Sequence, residues 1–524
     1  MSDTIKPFKK KFPEISEINP AKRKRTSPAS RINTLARFRE DFSTVQSTIE
    51  SQRCFHCRAN KGLPPCATEC PLERDIAVMF QNYQRGDFRK AAEAMDAGVG
   101  LLSLTGDYCP EDLCKKGKHV GSGESKKGAG CIYSGPNYDA DSKNPIEIVA
   151  ISEVEKHLGM MALQHGWNFG TPSPRNGKYI AVIGSGAAGL AAAESFNRKG
   201  YWVMVFERDR VFGGVIIYGI PPFRRDTPAV AMTVERMEEN GIIFQSGVTV
   251  GKGPTIPDLI EGNVALPNGM KLPPFSAVVV AVGAGPTRSL GVEGEYNTIG
   301  VQSANRYLMN ICNGGDVMLP AEFIVCVIGA GDTAIDAIRT ALRLSKIYAT
   351  LYGDAINMRT VVVYYRDEED MMADANEIAD AKEESIEFLF RHRLAEPAPF
   401  IVNEKNVLQE IVLEEMQVLD EKGWNGKHKI APYEPAKTMT KPCHLCLNAT
   451  GTTLNTSIIR DTPGLSVDEN TGYLKRMGPN SYKVDTGEHK LPIYAAGDIN
   501  GAGLVVTAIK EGRDLVEEAH QELI

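Results

Sequence analysis

No run of apolar residues in this sequence approaches the roughly 18 that a membrane-spanning helix needs, so no membrane span is expected. The N-terminal stretch MSDTIKPFKKKF is basic but has no apolar segment behind it, and it is not read as a secretory signal. Positive charge is not in excess. The 59 Lys and Arg stand against 66 Asp and Glu, a net charge of −7, which argues against a nucleic-acid binder. Glycine and proline, 49 and 30 of 524 residues, are too sparse for a disordered or collagen-like chain. What remains is the balance of a globular protein, 42% hydrophobic and 24% charged, with length for about three domains.

The cysteines are unevenly placed. Seven of the eleven fall between Cys54 and Cys131. Such a cluster, in a chain expected to be cytoplasmic, points to metal ligation before disulfides. The run Cys54-x2-Cys57-x8-Cys66-x3-Cys70-Pro71 has iron–sulfur spacing, and in two-cluster runs the cysteine before proline serves the other cluster. With Cys109, Cys114 and Cys131, Cys70 completes one 4Fe–4S centre. Cys54, Cys57 and Cys66 then leave a second centre one ligand short. A structural zinc site is the competing reading of Cys-x2-Cys. Cys443 and Cys446 read as buried strand thiols, and Cys312 and Cys326 as core.

After residue 175 the pattern changes to strand–glycine–helix units. KYIAVI (178–183) runs into Gly184-Ser185-Gly186-Ala187-Ala188-Gly189 and a helix of small residues, and the next strand ends at Glu207. FIVCVI (323–328) runs into Gly329-Ala330-Gly331-Asp332-Thr333-Ala334, a second helix and the strand 360–365. In such a turn the first glycine permits the tight bend. The second admits a pyrophosphate to the backbone, and the third small residue lets helix and strand pack. The helix N-terminus supplies free N–H groups to the anion. The first copy is read as the FAD site: Gly184, Ser185, Gly186, Ala188, Gly189, Glu207 for the ribose, Gly213 and Gly214, Gly283, and the late turn Gly497-Asp498 with Thr507. The second is read as the nicotinamide-nucleotide site, with Gly329, Gly331, Asp332, Thr333, Ala334, Arg366 and Asp367. The fold class is therefore α/β with an N-terminal α-helical iron–sulfur domain and two Rossmann-like domains, the second inserted in the first. Expected boundaries are a basic irregular arm at 1–31, a helical two-cluster domain at 32–170, an FAD domain at 176–303 and 451–524, and an NAD(P)H domain at 304–450.

The arm carries nine Lys and Arg against three acids, and reads as a solvated segment lying on its own acidic body or on a partner. Helices are expected over 32–52, 73–97 and 146–166. The acidic runs 367–370 and 377–384 read as solvated surface. After the strand 360–365, one arginine followed by four acids favours NADH over NADPH, because a 2′-phosphate wants charge-assisted donors. Arg339 or Arg343 on the preceding helix could supply them instead.

The order of a cysteine-rich helical region, GSGAAGLAAAE, GGVIIYGIP, IGAGDTAIDAIRTALRL and AAGDINGAGLVVTAIKEGR resembles the small subunits of bacterial glutamate synthase. It is similar also to the N-terminal half of dihydropyrimidine dehydrogenases and to the large subunit of NADH-dependent ferredoxin:NADP oxidoreductases, and its nucleotide domains to adrenodoxin reductases. The resemblance implies that a Glu or Gln completes the first cluster, which assigns Glu155 to Cys54, Cys57 and Cys66, with Glu153 as the alternative. It implies one FAD, two 4Fe–4S clusters and NADH or NADPH. Electrons would pass between the nucleotide and a larger catalytic subunit or a ferredoxin-type partner. The wider Cys57–Cys66 and Cys114–Cys131 gaps and Tyr365 and Glu368 in place of arginines depart from the pattern. Hydride transfer to a flavin requires no side-chain nucleophile, so no catalytic acid or base is expected. An FAD-binding redox sensor without turnover is the reading from another class.

Overall fold

Two parallel five-stranded sheets repeat one design. The computed structural model describes residues 19–54, 56, 64–96, 98–110, 149–169, 173–262, 264–315, 322–352, 357–422, 428–455, 457–460, 462–469, 471–501 and 503–524. The first sheet contains β1 (Tyr179–Ile183), β2 (Trp202–Phe206), β3 (Ile243–Gln245), β4 (Ala277–Val280) and β15 (Ile493–Ala495), in the order β15-β4-β1-β2-β3. The second contains β5 (Val301–Ser303), β6 (Glu322–Ile328), β7 (Asn357–Tyr364), β8 (Glu387–Phe390) and β14 (Leu445–Asn448), in the order β5-β14-β6-β7-β8. Both place their founding strand, β1 or β6, at the centre. The strands read as continuous apolar runs because both faces are covered. Ile180 and Val182 enter one core while Ala181 and Ile183 enter another. The second sheet divides likewise, Val325 and Val327 to one side and Cys326 and Ile328 to the other. A third, antiparallel sheet of β9 (His392–Leu394), β10 (Phe400–Val402), β11 (Leu408–Lys422), β12 (His428–Pro432) and β13 (Thr438–Pro442) covers that last face.

The nested order of the two units follows from these pairings, since the first sheet is completed only by β15 after the second has closed. One boundary moves. β5 pairs with β14 in the second sheet, so residues 301–303 belong to the inserted unit rather than to the first, where the sequence had placed them. The chain crosses between the units at 287 and 452, which form a bridge.

The N-terminal region is helical but more broken than its periodicity implied. Helices span Thr44–Arg53, Ile76–Gln84, Phe88–Asp96, Leu102–Asp107 and Ile151–Gln164. Residues 32–43 are not helical. Phe38 and Phe42 are buried from irregular chain, and the helix begins only at the Ser43 capping box. The expected 73–97 helix is interrupted at Gly86, whose φ is +75°. Leu102–Asp107 and Ile151–Gln164 cross in close contact. A Cβ on Gly106 would lie 2.5 Å from the Lys156 nitrogen, and one on Gly159 would lie 2.3 Å from the Ser103 nitrogen. Leu72, Val99, Leu101 and Leu104 continue directly into the core of the first sheet, so this region is packed onto the nucleotide unit.

The described part of the arm is not solvated throughout. Arg31 is 1% exposed and donates through Nε to Glu384 Oε1 at 2.6 Å. Arg25 and Arg39 pair with Asp380. The second acidic run is likewise not solvated: Glu377, Asp380 and Glu384 are buried beneath these arginines and beneath Arg339 and Arg343. Phe38 and Phe223 lie under the guanidinium planes. Arg224 of the first unit joins from the other side, donating to Asp336 at 2.7 Å. The arm and both nucleotide units therefore meet in one buried ionic cluster. Among the described residues, no helix is long and apolar enough to cross a membrane.

Candidate functional site

Both glycine turns lie at the carboxyl end of their sheet, beside the point where strand order reverses, which is where open α/β sheets bind nucleotides. In the first, Gly184 has φ +101° and a Cβ there would lie 2.4 Å from the Ala281 carbonyl oxygen. In the second, Gly329 has φ +125° and would meet the Ala449 carbonyl oxygen at the same 2.4 Å. Both positions require glycine for the turn itself. Gly189 is excluded from bearing a side chain by the Gly184 carbonyl oxygen, 2.0 Å from its would-be Cβ.

Gly186 and Gly331 are different. Neither has a positive φ, and a Cβ on either would find no protein atom within 4 Å. The fold leaves open space over both, and glycine there keeps that space free for a ligand. Gly186 is the N-cap of the helix Ala187–Arg198 and makes no side-chain cap, so the first-turn N–H groups face that space unpaired. Gly214 lies against it: a Cβ on Gly214 would be 2.8 Å from Gly186 Cα. The residues present thus fit a dinucleotide pyrophosphate in the first unit. The same open glycine in the second unit fits one as well.

Glu207 is 6% exposed. Its Oε2 accepts from Ser185 N at 3.0 Å and Oγ at 2.5 Å, and Oε1 accepts from Asp209 N at 2.9 Å. It therefore braces the glycine turn while Oε1 keeps a lone pair for a ribose hydroxyl. Ser185 Oγ in turn accepts from Gly213 N at 3.0 Å, so the two glycine loops are tied. Asp498 accepts from Gly503 N at 3.1 Å, and burial pushes its carboxyl above the usual range. Thr507 donates to the Leu504 carbonyl and closes the start of the helix Val505–Leu523. Gly283 has φ +72° and open space around it, and Gly451, the corresponding turn in the second unit, has φ +103° with the same surroundings.

In the second unit, Asp332 Oδ1 accepts from Asp374 N at 3.0 Å and braces the loop opposite the turn. Asp367 is held by Arg391, through Nε at 2.6 Å and Nη2 at 3.0 Å. Arg391 follows β8, and no local sequence signal connects it to residue 367. Arg366 donates to the His428 carbonyl oxygen at 2.8 Å and faces Asp370 at 3.6 Å. Arg339 and Arg343 are fully buried in the ionic cluster and are not available to a nucleotide.

Of the expected metal ligands, Cys57, Cys114 and Cys131 lie outside the described residues, as does the insert 115–130. Among the described residues, no group of three or more His, Cys, Asp and Glu forms a metal-holding set. Cys54, Cys66 and Cys70 pack on one apolar core. Cys70, Cys109 and Glu155 line one pocket, with Pro71, Leu72, Arg74, Thr105 and Val506. Cys54 and Cys66 do not line it. Glu155 lines this pocket with Cys70 and Cys109, and its expected partner Cys57 lies outside the described residues. The close crossing at Gly106 and Gly159 places Glu155 there, since it presses the helix Ile151–Gln164 against Thr105. Two soft donors and a carboxylate in a pocket whose other walls are largely apolar fit an iron–sulfur centre. Glu153, the alternative, pairs with Arg23. Val506 belongs to the helix that starts beside Asp498, so the pocket and the flavin end of the first unit share a wall. That adjacency is not visible in the sequence.

Cys326 and Cys446 are register partners across β6 and β14, and both are buried, as the sequence reading expected. Cys312 is not core. It is half-buried, and Arg225 Nη1 of the first unit lies 3.3 Å from its sulfur.

The family model of pyridine nucleotide-disulphide oxidoreductases matches residues 178–521, and that of dihydropyrimidine dehydrogenase domain II, 4Fe-4S cluster, matches residues 31–129. The glutamate synthase (NADPH) small chain of Azospirillum brasilense is 28% identical, over 94% of this chain and 92% of that one. That of Escherichia coli K12 is 27% identical, over 90% and 91%. Mycobacterium tuberculosis FprA, solved in complex with NADPH, superposes with a TM-score of 0.51 at 17% identity, covering 67% of this chain and 85% of that one.

Proposed function

This chain belongs to the pyridine nucleotide-disulphide oxidoreductase family, on its glutamate synthase small-chain side, and we propose that it is the electron-input subunit of a larger enzyme. It is an FAD-dependent NAD(P)H oxidoreductase with an iron–sulfur domain. The finer reading has two 4Fe–4S clusters held by the seven N-terminal cysteines and Glu155, with Cys70 and Cys109 in one set and Cys54, Cys57 and Cys66 in the other. The observation that carries it is the shared wall at Val506, which sets the cysteine pocket against the helix that begins at the flavin end. When bound, FAD would accept a hydride from the nicotinamide and release its electrons singly to an iron–sulfur centre.

The chain's own residues bind, orient and shield. Gly186 and Gly331 leave backbone N–H groups open to the two pyrophosphates. Glu207 and Asp498 offer carboxylate oxygens to hydroxyls. Leu72, Ile76, Met95 and Val506 exclude water from the pocket between the sites. A large catalytic subunit, as in glutamate synthase, is the partner favoured by the full-length likeness to small chains.

The test is an anaerobic preparation of the chain alone. It should carry about eight irons and one FAD, and reduce artificial dyes with NADH or NADPH. It should not form glutamate until a large subunit is added. Stoichiometric zinc without iron, or rapid glutamate formation by the chain alone, would refute the proposal.

Nucleotide choice follows from Arg366 and Arg391. Both guanidiniums are already engaged by protein acceptors, so a 2′-phosphate would have to displace Asp367 from Arg391. NADH should be preferred to NADPH by about tenfold in kcat/KM, about 1.4 kcal/mol if one charge contact decides it. Asp367→Ser should free Arg391 and shift the ratio toward NADPH. A wild-type preference for NADPH would overturn this assignment and leave the architecture untouched.

A further inference from the structure

Arg74 lies four residues beyond Cys70 and is 2% exposed. Its Nη1 donates to Thr105 Oγ1 at 2.7 Å and to Glu155 Oε1. Its Nε and Nη2 are buried and take no partner among the described residues. A guanidinium has five N–H donors in a fixed fork and no means of losing its charge, and a buried unmade hydrogen bond on a charged group is costly. Pairing with Glu155 accounts for one nitrogen only. Arg74 lines the same pocket as Cys70 and Cys109, whose remaining walls are largely apolar, from Pro71, Leu72, Ile76, Met95, Ile151 and Val506. The free donors therefore call for further acceptors within that pocket, where Cys70 and Cys109 present sulfur atoms.

We propose that Arg74 is a positioning residue that sets the reduction potential of the iron–sulfur centre in the Cys70–Cys109 pocket, donating through Nε and Nη2 toward its sulfurs. This rests on reading that pocket as a cluster site. Reduction there adds one electron and no proton, so the pocket gains one negative charge. A fixed cation in an apolar enclosure favours the state with that charge, and hydrogen bonds to the sulfurs act in the same direction. Glu155 opposes it, and Arg74 offsets Glu155 as well. The potential of this centre should therefore depend on Arg74 more than on any exposed lysine or arginine nearby, where water screens the charge.

The experiment is an anaerobic dithionite titration of the full chain followed by electron paramagnetic resonance, on wild type, Arg74→Gln and Arg74→Lys. Arg74→Gln should retain iron and lower one midpoint by about tenfold in the reduction equilibrium, about 59 mV for one electron. The second centre should not move, and Arg74→Lys should recover most of the shift. Independently of any variant, wild type grown with 15N-arginine should show a nitrogen coupling to one reduced centre. An unshifted midpoint in an iron-replete Arg74→Gln, loss of iron from both variants without a 15N coupling in wild type, or absence of that coupling alone would overturn the proposal. An iron-free wild type would instead refute the reading of the pocket.

Discussion

Gly186→Val should abolish FAD binding while leaving the chain folded and its iron in place. The wild-type backbone at Gly186 has φ −68° and ψ −177°, which valine adopts readily. A Cβ there meets no protein atom within 4 Å. The protein therefore has little to object to, and the added side chain occupies the space over the open helix N-terminus. Losing two charge-assisted hydrogen bonds to the pyrophosphate costs about 3–6 kcal/mol, about 10²–10⁴ in Kd, before any steric term. Gly189→Ala is the contrast. Its Cβ would lie 2.0 Å from the Gly184 carbonyl oxygen, so that variant should fail by misfolding the first unit. Flavin content after gel filtration, with circular dichroism and iron analysis on the same sample, separates the two. Tight FAD retention by Gly186→Val would mean the pyrophosphate lies elsewhere.

Glu384→Ala should destabilise the junction between arm and inserted unit by about 3–5 kcal/mol, the range for removing one partner of a buried ion pair. Glu384 accepts from Arg31, Arg339 and Arg343, all three of them buried. Without it, the carboxylates left to those guanidiniums among the described residues are Glu377, Asp380 and the half-exposed Glu383. The expected signs are a lower denaturant midpoint for the inserted unit and faster proteolysis within residues 19–43. Unchanged protection of that segment would contradict the clamp. The same cluster predicts an acid limit. Despite burial, the surrounding arginines pull the Glu384 carboxyl down to about 2 from an ordinary 4.5, and Glu377 is lowered as well. A carboxyl held below its unfolded value adds stability that is complete above about pH 4.5 and is lost as pH falls toward about 2. Detachment of the arm should follow that window, and Glu384→Ala should flatten it.

Much of the architecture was legible because it rests on local rules. A strand, a glycine turn that needs positive φ at Gly184 or Gly329, and a helix of small residues form a unit of about 30 residues whose parts touch their neighbours in sequence. The apolar runs of β1, β6 and β7 declare a sheet covered on both faces. The nesting of one unit in the other was readable because Gly497-Asp498 repeats strand-and-turn grammar far from its partners. The cysteine spacing declared metal chemistry for the same reason, since ligands close in sequence need little tertiary help to converge.

Where charge and apolar periodicity had to be placed without partners, the sequence was misleading. Phe38 and Phe42 at helical spacing lie in irregular chain, and the buried guanidiniums of Arg31, Arg339 and Arg343 rather than a helix face cover Phe38. Glu377, Asp380 and Glu384 look like a solvated helix face until the arm's arginines are laid over them.

Sequence by itself determined the two nucleotide units, their nesting and the metal-binding character of the N-terminal region, since each depends on residues that are neighbours along the chain. Only the tertiary structure decided that Glu155 shares a pocket lining with Cys70 and Cys109, that Val506 joins that pocket to the helix beside Asp498, that Arg391 holds Asp367, and that Arg74 has donors without a partner among the described residues. Each of these is a contact between segments far apart in sequence. Burial and helix crossing set such contacts, and a charge or a donor carries no mark in the sequence of the partner it will meet once water is removed.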